Sequence, residues 1–175
     1  MVRKYIAAAI LFIAVVCLAN SPVHAKKKKS SPEDLAKVVQ LTRALEKDPL
    51  SADADAARSW LLTWLIKAPD ITVTISPLLG PLPNDDYTYS DQVFTQMTFS
   101  SAAFIIENPE IAKANPCEEQ KAGLAGALAA YEAIVAKHPD AKYPFLDKLL
   151  NMTEPSEIDA YLKQKAPESC MTTAD

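Results

Sequence analysis

The sequence predicts an all-α domain of about six helices, and three observations carry that expectation. Apolar residues recur three and four apart along most of the chain, the period of a helix with one buried face. Pro49, Pro69, Pro109 and Pro139 each close one of these amphipathic runs. The single strand-like stretch, Ile71-Thr72-Val73-Thr74-Ile75, has no second run of its kind to pair with. The expected form is a compact bundle or short solenoid-like array joined by proline-rich turns.

The first helix starts at Ser31-Pro32-Glu33-Asp34: a capping serine, a proline at the first helical position, and acids in the first turn. Leu35, Val38, Leu41 and Leu45 share one side, and Asp48-Pro49 stops it. Ser51 is expected to cap the second helix, whose stripe is Ala57, Trp60, Leu61, Trp64 and Leu65. Leu62 and Ile66 widen that apolar arc, which predicts a central helix buried on more than one side.

Residues 70–89 read differently. Ile71, Val73 and Ile75 alternate with threonines, while Pro77, Gly80, Pro81 and Pro83 forbid long regular structure. A short helical or extended buried segment is expected, then a proline-rich loop through Asn84-Asp85-Asp86. Ser90 is expected to cap a third long helix. Its stripes are Val93, Phe94, Met97, Phe104 and Ile105, and then Phe99, Ala103 and Ile106; Glu107-Asn108-Pro109 closes it.

Asn115-Pro116-Cys117-Glu118 is the next start signal, with Glu118 as capping-box partner of Asn115. This helix runs to His138-Pro139 with Leu124, Leu128, Tyr131 and Val135 on one face and Ala125, Ala129 and Ala133 on another. Gly123 and Gly126 each cost about 1 kcal/mol of helix propensity against alanine, so close approach of a neighbouring helix is expected there. Two shorter helices begin near Pro144 and Pro155. They carry Phe145, Leu146, Leu149 and Leu150, then Ile158, Tyr161 and Leu162, and the tail returns through Pro167 to Cys170.

Residues 1–25 read as a cleaved secretory signal peptide. Arg3 and Lys4 precede an apolar run from Ile6 to Leu18, and Val23-His24-Ala25 is a small-residue cleavage pattern. That run is shorter than the ~20 residues a membrane span needs, so no stable span is expected after cleavage. An anchored form is the alternative, because Lys26 to Lys29 carry charge that normally stays cytoplasmic. Residues 26–31 then form a disordered basic tail, 32–170 a single helical domain, and 171–175 a disordered C-terminal tail. The expected location is periplasmic or secreted. Loss of Arg3 and Lys4 takes the formal net charge from −4 to −6, which argues against nucleic acid as a partner. Cys17 departs with the signal. Cys117 and Cys170 remain, and in an exported chain a disulfide is the default. Closing that loop is worth about 4 kcal/mol in the chain-entropy account. It would clamp the last three helices into one unit packed on the first three.

Ala127, Tyr131, Ile134 and Pro139 fall at the spacing of small, aromatic, apolar and proline positions. In this they resemble the second helix of a tetratricopeptide repeat; Leu41, Ala44 and Pro49, and Ala57, Leu61 and Pro69, look similar. The resemblance covers about a third of the mature chain, in half-repeats, and the helix-ending prolines keep no fixed period. Ile111, Ala114, Asn115 and Glu118 stand where the family's first helix carries Trp, Leu, Gly and Tyr. It implies stacked helical hairpins and a concave surface for peptides. More loosely, the chain resembles small exported bacterial helical proteins.

Chemistry is sparse. His138 is the one histidine after the signal, at a helix end where it complements the dipole. No metal, cofactor or catalytic set is expected: histidines are too few for zinc, and no Gly-x-Ser-x-Gly or phosphate-cradling glycine loop occurs. Candidate ligand or partner contacts are Arg58 beside Trp60 and Trp64, and Asp85, Tyr87 and Tyr89 in the most polar, aromatic loop. That loop's oxygens suit calcium, or its rings a sugar or peptide. Asn151-Met152-Thr153 is a glycosylation sequon. The expected function is a non-enzymatic binding or scaffold module with a protein partner in the cell envelope or outside the cell. The alternative is a carrier of a small apolar ligand, lined by Trp60, Trp64, Phe94, Met97 and Phe104. A carboxylate-based hydrolase comes third.

Overall fold

A computed structural model describes residues 29–171; the expected signal segment 1–25 with Cys17, Lys26 to Lys28, and residues 172–175 lie outside the described part. Eight α-helices and no strand occur among the described residues. They are α1 (Pro32–Lys47), α2 (Ala54–Lys67), α3 (Ser90–Glu107), α4 (Pro109–Ala114), α5 (Pro116–Lys137), α6 (Pro144–Leu150), α7 (Pro155–Lys165) and α8 (Pro167–Cys170). The two beyond the expected six, α4 and α8, are short helices of 6 and 4 residues, each opened by a proline. None of the described helices is long and apolar enough to cross a membrane.

Local signals explain most starts. The Ser31 hydroxyl accepts the Asp34 N–H at 3.1 Å, as the capping reading requires. Asn115 caps α5 by accepting the Cys117 N–H at 3.2 Å. The reciprocal arm expected from Glu118 has nothing to receive, because the Asn115 N–H already donates to Ile111 O at the end of α4. Two serine caps are corrected. Ser51 lies in a turn and its carbonyl accepts the Ala54 N–H, with Asp53 at the cap position of α2. Ser90 is the first residue of α3, and its hydroxyl donates to Leu82 O at 2.7 Å, tying the helix to the loop before it.

Helices α3 and α5 form the spine. They approach closely because Gly123 and Gly126 face Ser101 and Ser100, and a Cβ at either glycine would overlap the serine hydroxyl. Two apolar clusters flank this spine. The smaller joins Val38, Leu45, Ala54, Leu61 and Phe99, drawn from α1, α2 and α3. The larger runs from Leu78, Leu79 and Leu82 through Val93, Met97, Leu124, Tyr131 and Ile134 to Leu146, Leu149, Leu162 and Cys170. The clamped arrangement of two helix triplets is therefore corrected: α3 and α5 belong together at the centre, with α1 and α2 on one flank and α6 to α8 on the other.

The position of α2 is also corrected. Only Ala54 and Leu61 are buried on it, while Ile66 is 83% exposed and Leu62 39%, so it lies at the edge rather than the centre. Its wide apolar arc reflects residues left at the surface. Between the clusters runs a polar seam of Thr42, Gln96, Ser100, Ser101, Glu119 and Gln120, all buried. The Ser100 hydroxyl donates to Glu46 at 2.7 Å and accepts from Gln96 at 3.0 Å, and Arg43 bridges Glu46 and Glu107 at 2.6 Å each.

Cys117 and Cys170 are bonded, with Cα atoms 4.6 Å apart, fixing α8 to the start of α5. Such a bond fits an oxidising compartment. At the other terminus, the Ser30 hydroxyl and N–H both donate to Asp70, so the chain just before α1 is tied to the end of α2.

Candidate functional site

The candidate residues fall into two places. Trp60 and Trp64 stack one turn apart on α2, ring centroids 6.4 Å apart, and pack on the smaller cluster. Lys37 sits 4.0 Å over the Trp60 ring. Arg58 spends its guanidinium internally, on Pro49 O at 2.8 Å and on Asp55 at 2.6 Å. It thereby holds the α1–α2 turn and presents no anion anchor. Trp64 alone borders an open groove of about 420 Å3, shared with Lys29, Asp34 and Lys67. The expected carrier lining is not brought together: Phe94 and Met97 belong to the larger cluster, Trp60 and Trp64 to the smaller.

The Asp85–Tyr89 loop, in contrast, meets residues far along the chain. The Tyr87 ring lies 5.0 Å from Tyr143, 5.9 Å from Tyr89 and 6.4 Å from Tyr131, the last two edge-on. Tyr89 in turn faces His138 at 5.7 Å. These are the offset and edge-to-face separations that aromatic quadrupoles prefer. Hydrogen bonds lock the rings. Tyr87 donates to Ala141 O at 2.9 Å, Tyr143 to Asp85 at 2.5 Å, and Tyr131 to Asp147 at 2.7 Å. Tyr131 also accepts the Tyr143 N–H at 2.7 Å, so one buried phenol fixes the chain where α6 begins.

The phenols are correspondingly weak acids. Burial, helped by the neighbouring acid Asp147, pushes Tyr131 up to about 12. The hydrogen bond to Asp85 pushes Tyr143 up to about 12, with burial second. Burial first, then the charges of Tyr131, Tyr89 and Asp147, raises Tyr87 as well. None of the three is a base or nucleophile near neutral pH. Tyr131 is fully buried and holds Tyr87 from behind, so the ring surface on offer is that of Tyr87 and Tyr89, at a shallow groove of about 280 Å3 that Asp86, Asp140 and Lys142 also line.

Tyr131, Tyr143, Asp147 and His138 were not marked as site residues by sequence reasoning. No local signal links them to Tyr87: the Tyr87–Ala141 bond spans 54 residues and the Tyr143–Asp85 bond 58. A second unmarked group is Glu119 with Gln120. Glu119 accepts the Thr74 N–H at 2.8 Å and Gln120 donates to Thr74 O at 2.9 Å, so two α5 side chains hold the 71–76 segment as a neighbouring strand would. Burial raises the Glu119 carboxyl above the usual range, partly offset by that N–H. Glu119 meets a peptide group, not the second carboxylate that a hydrolytic pair requires. Among the described residues no group of His, Cys, Asp and Glu gathers that could hold a metal. Comparison with protein-family models, with curated proteins and with solved structures finds no match to this chain.

Proposed function

We propose that this chain is an exported, non-enzymatic binding module that receives a basic peptide segment of a partner protein at the tyrosine groove. The observation that carries the reading is the pair of Tyr87 and Tyr89 rings at the groove, with Tyr87 backed by the hydrogen-bonded Tyr131 and Tyr143, beside the exposed carboxylates of Asp86 and Asp140. Rigid aromatic faces contribute contact area at little entropy cost. Carboxylates next to them suit a lysine or arginine side chain lying over a ring. Titrating the protein with an arginine-rich peptide and with a glutamate-rich peptide of equal length tests it. Saturable binding of the basic peptide alone is expected, weakened at least about tenfold by Tyr89→Ala, whose ring is not part of the hydrogen-bonded lock. Equal binding of both peptides, or an unchanged Tyr89→Ala, rejects the reading.

A second reading has one observation in its favour. An apolar pocket of about 200 Å3 between α5, α6 and α7 is lined by Leu124, Leu128, Leu150, Met152, Ile158 and Tyr161. It falls below the ~300 Å3 at which ligand pockets usually begin, so it suits only a small apolar molecule.

A further inference from the structure

Residues 71–76 run from α2 to the buried Leu78–Leu82 segment without helix, turn or bend. Thr74 shows how this strap lies, because both its main-chain groups are bonded to α5 side chains. In an extended chain the N–H and C=O of one residue point to the same edge, and those of its neighbours to the opposite edge. Thr72 and Thr74 thus face α5, while Ile71, Val73 and Ile75 own the outer edge. Thr74 alone anchors the strap to α5: among the described residues no hydrogen bond engages the main chain of Ile71, Thr72, Val73 or Ile75. The strap is accessible: Thr72 and Thr74 are exposed, and Ile75 is 60% exposed. An unpaired edge of β-branched residues is a template for another strand.

We propose that the strand completing this edge is the same strap of a second copy, in antiparallel register about Val73. The sequence Ile71-Thr72-Val73-Thr74-Ile75 reads identically in both directions. A two-fold axis through Val73 therefore sets Val73 against its own copy, Thr72 against Thr74, and Ile71 against Ile75. The residues whose main-chain groups face outward become the hydrogen-bonded pairs. Every cross-strand pair is β-branched with its own kind, a favourable combination. Charge permits the pairing too, since no charged residue lies between Asp70 and Asp85 in a chain of net charge −4. This is the self-complementary contact that two-fold dimers require. A strand pair about 17 Å long covers far less than the about 1,200–2,000 Å2 of stable interfaces. The dimer is accordingly reversible and concentration-driven.

Sedimentation of the full chain, as processed by an exporting host, over a wide concentration range tests this alongside cysteine cross-linking. Val73 is the single strap position opposite itself, with a Cα separation of about 5.5 Å in such a pair, within disulfide reach. Val73→Cys is expected to give an interchain disulfide under mild oxidation, whereas Ile71→Cys and Ile75→Cys do not; the native cysteines are already bonded to each other. Val73→Pro should abolish the dimer, and Ile75→Lys should raise its midpoint concentration about tenfold. Combining Ile71→Glu with Ile75→Lys should restore it, because each acid then faces a lysine of the other copy. A chain monomeric at every concentration, a dimer indifferent to Val73→Pro and Ile75→Lys, or equal cross-linking at all three positions would overturn the proposal. So would binding of an unrelated extended peptide to the strap of a monomeric protein.

Discussion

Glu119 is 6% exposed, and its carboxylate accepts the Thr74 N–H. Its charged form is held out of water for the sake of one peptide hydrogen bond, and burial raises its proton affinity. The sign follows from linkage. A carboxyl whose folded value is raised binds its proton more tightly in the native state. Its stabilising contribution is complete below the ordinary carboxylate range and is lost as pH rises through the raised value. Glu119→Gln keeps an oxygen for Thr74 and removes the titration. Thermal unfolding from about pH 4 to 8 should therefore show a downward slope in the native protein that flattens in Glu119→Gln. Glu119→Ala strands the Thr74 N–H and should cost about 1–3 kcal/mol at the acid end of that range, and less as pH rises. Asp48 has the opposite sign, since its hydrogen bond to Lys137 holds its carboxyl below the usual range. That contribution fades only as pH falls.

Elements were legible where their signals are local. Ser31 and Asn115 cap as their sequence context requires, and Gly123 and Gly126 mark the close α3–α5 contact. The site of α2 was not legible, because a wide apolar arc says nothing about how many neighbours cover it. The tyrosine cluster was half legible: the loop from Asp85 to Tyr89 stood out by composition, but its partners come from α5 and the start of α6. The α3–α5 contact yields a differential prediction. At Gly123 an added Cβ would meet Ser101 Oγ at 2.3 Å, with Met97 O next at 3.0 Å. At Gly126 it would meet both Oγ and Cβ of Ser100, at 1.9 and 2.4 Å. Either alanine gains about 1 kcal/mol of propensity and loses about 1–3 kcal/mol to overpacking. Adding Ser101→Ala should recover most of the loss in Gly123→Ala. Adding Ser100→Ala should not rescue Gly126→Ala, because the Ser100 Cβ remains in the way. Denaturant midpoints of the four variants decide it.

At the scale of the whole molecule, the spine of α3 and α5 separates two apolar clusters that touch little except through it. The larger one depends on chain returning from far away: Tyr161 donates to Leu78 O across 83 residues, and α8 reaches α5 only at its end. The disulfide closes this return, joining residues 53 apart in sequence. In the chain-entropy account its removal releases about 4 kcal/mol of unfolded-state freedom. For a domain of this length that amounts to a fall in Tm on the order of 10 °C. The native spine does not need the bond, since Leu124, Ala127, Tyr131 and Ile134 lie further along α5 than Cys117 and are buried in one cluster with Val93 and Met97 of α3. Cys117→Ser combined with Cys170→Ser should therefore fold to the same helix content and melt about 10 °C lower. Hydrogen exchange should quicken first in α8 and at the Thr74 amide of the 71–76 strap, which Glu119 and Gln120 hold two and three residues beyond Cys117. Exchange that quickens uniformly across α1 and α2 as well would mean the bond supports the entire fold rather than the return of its tail.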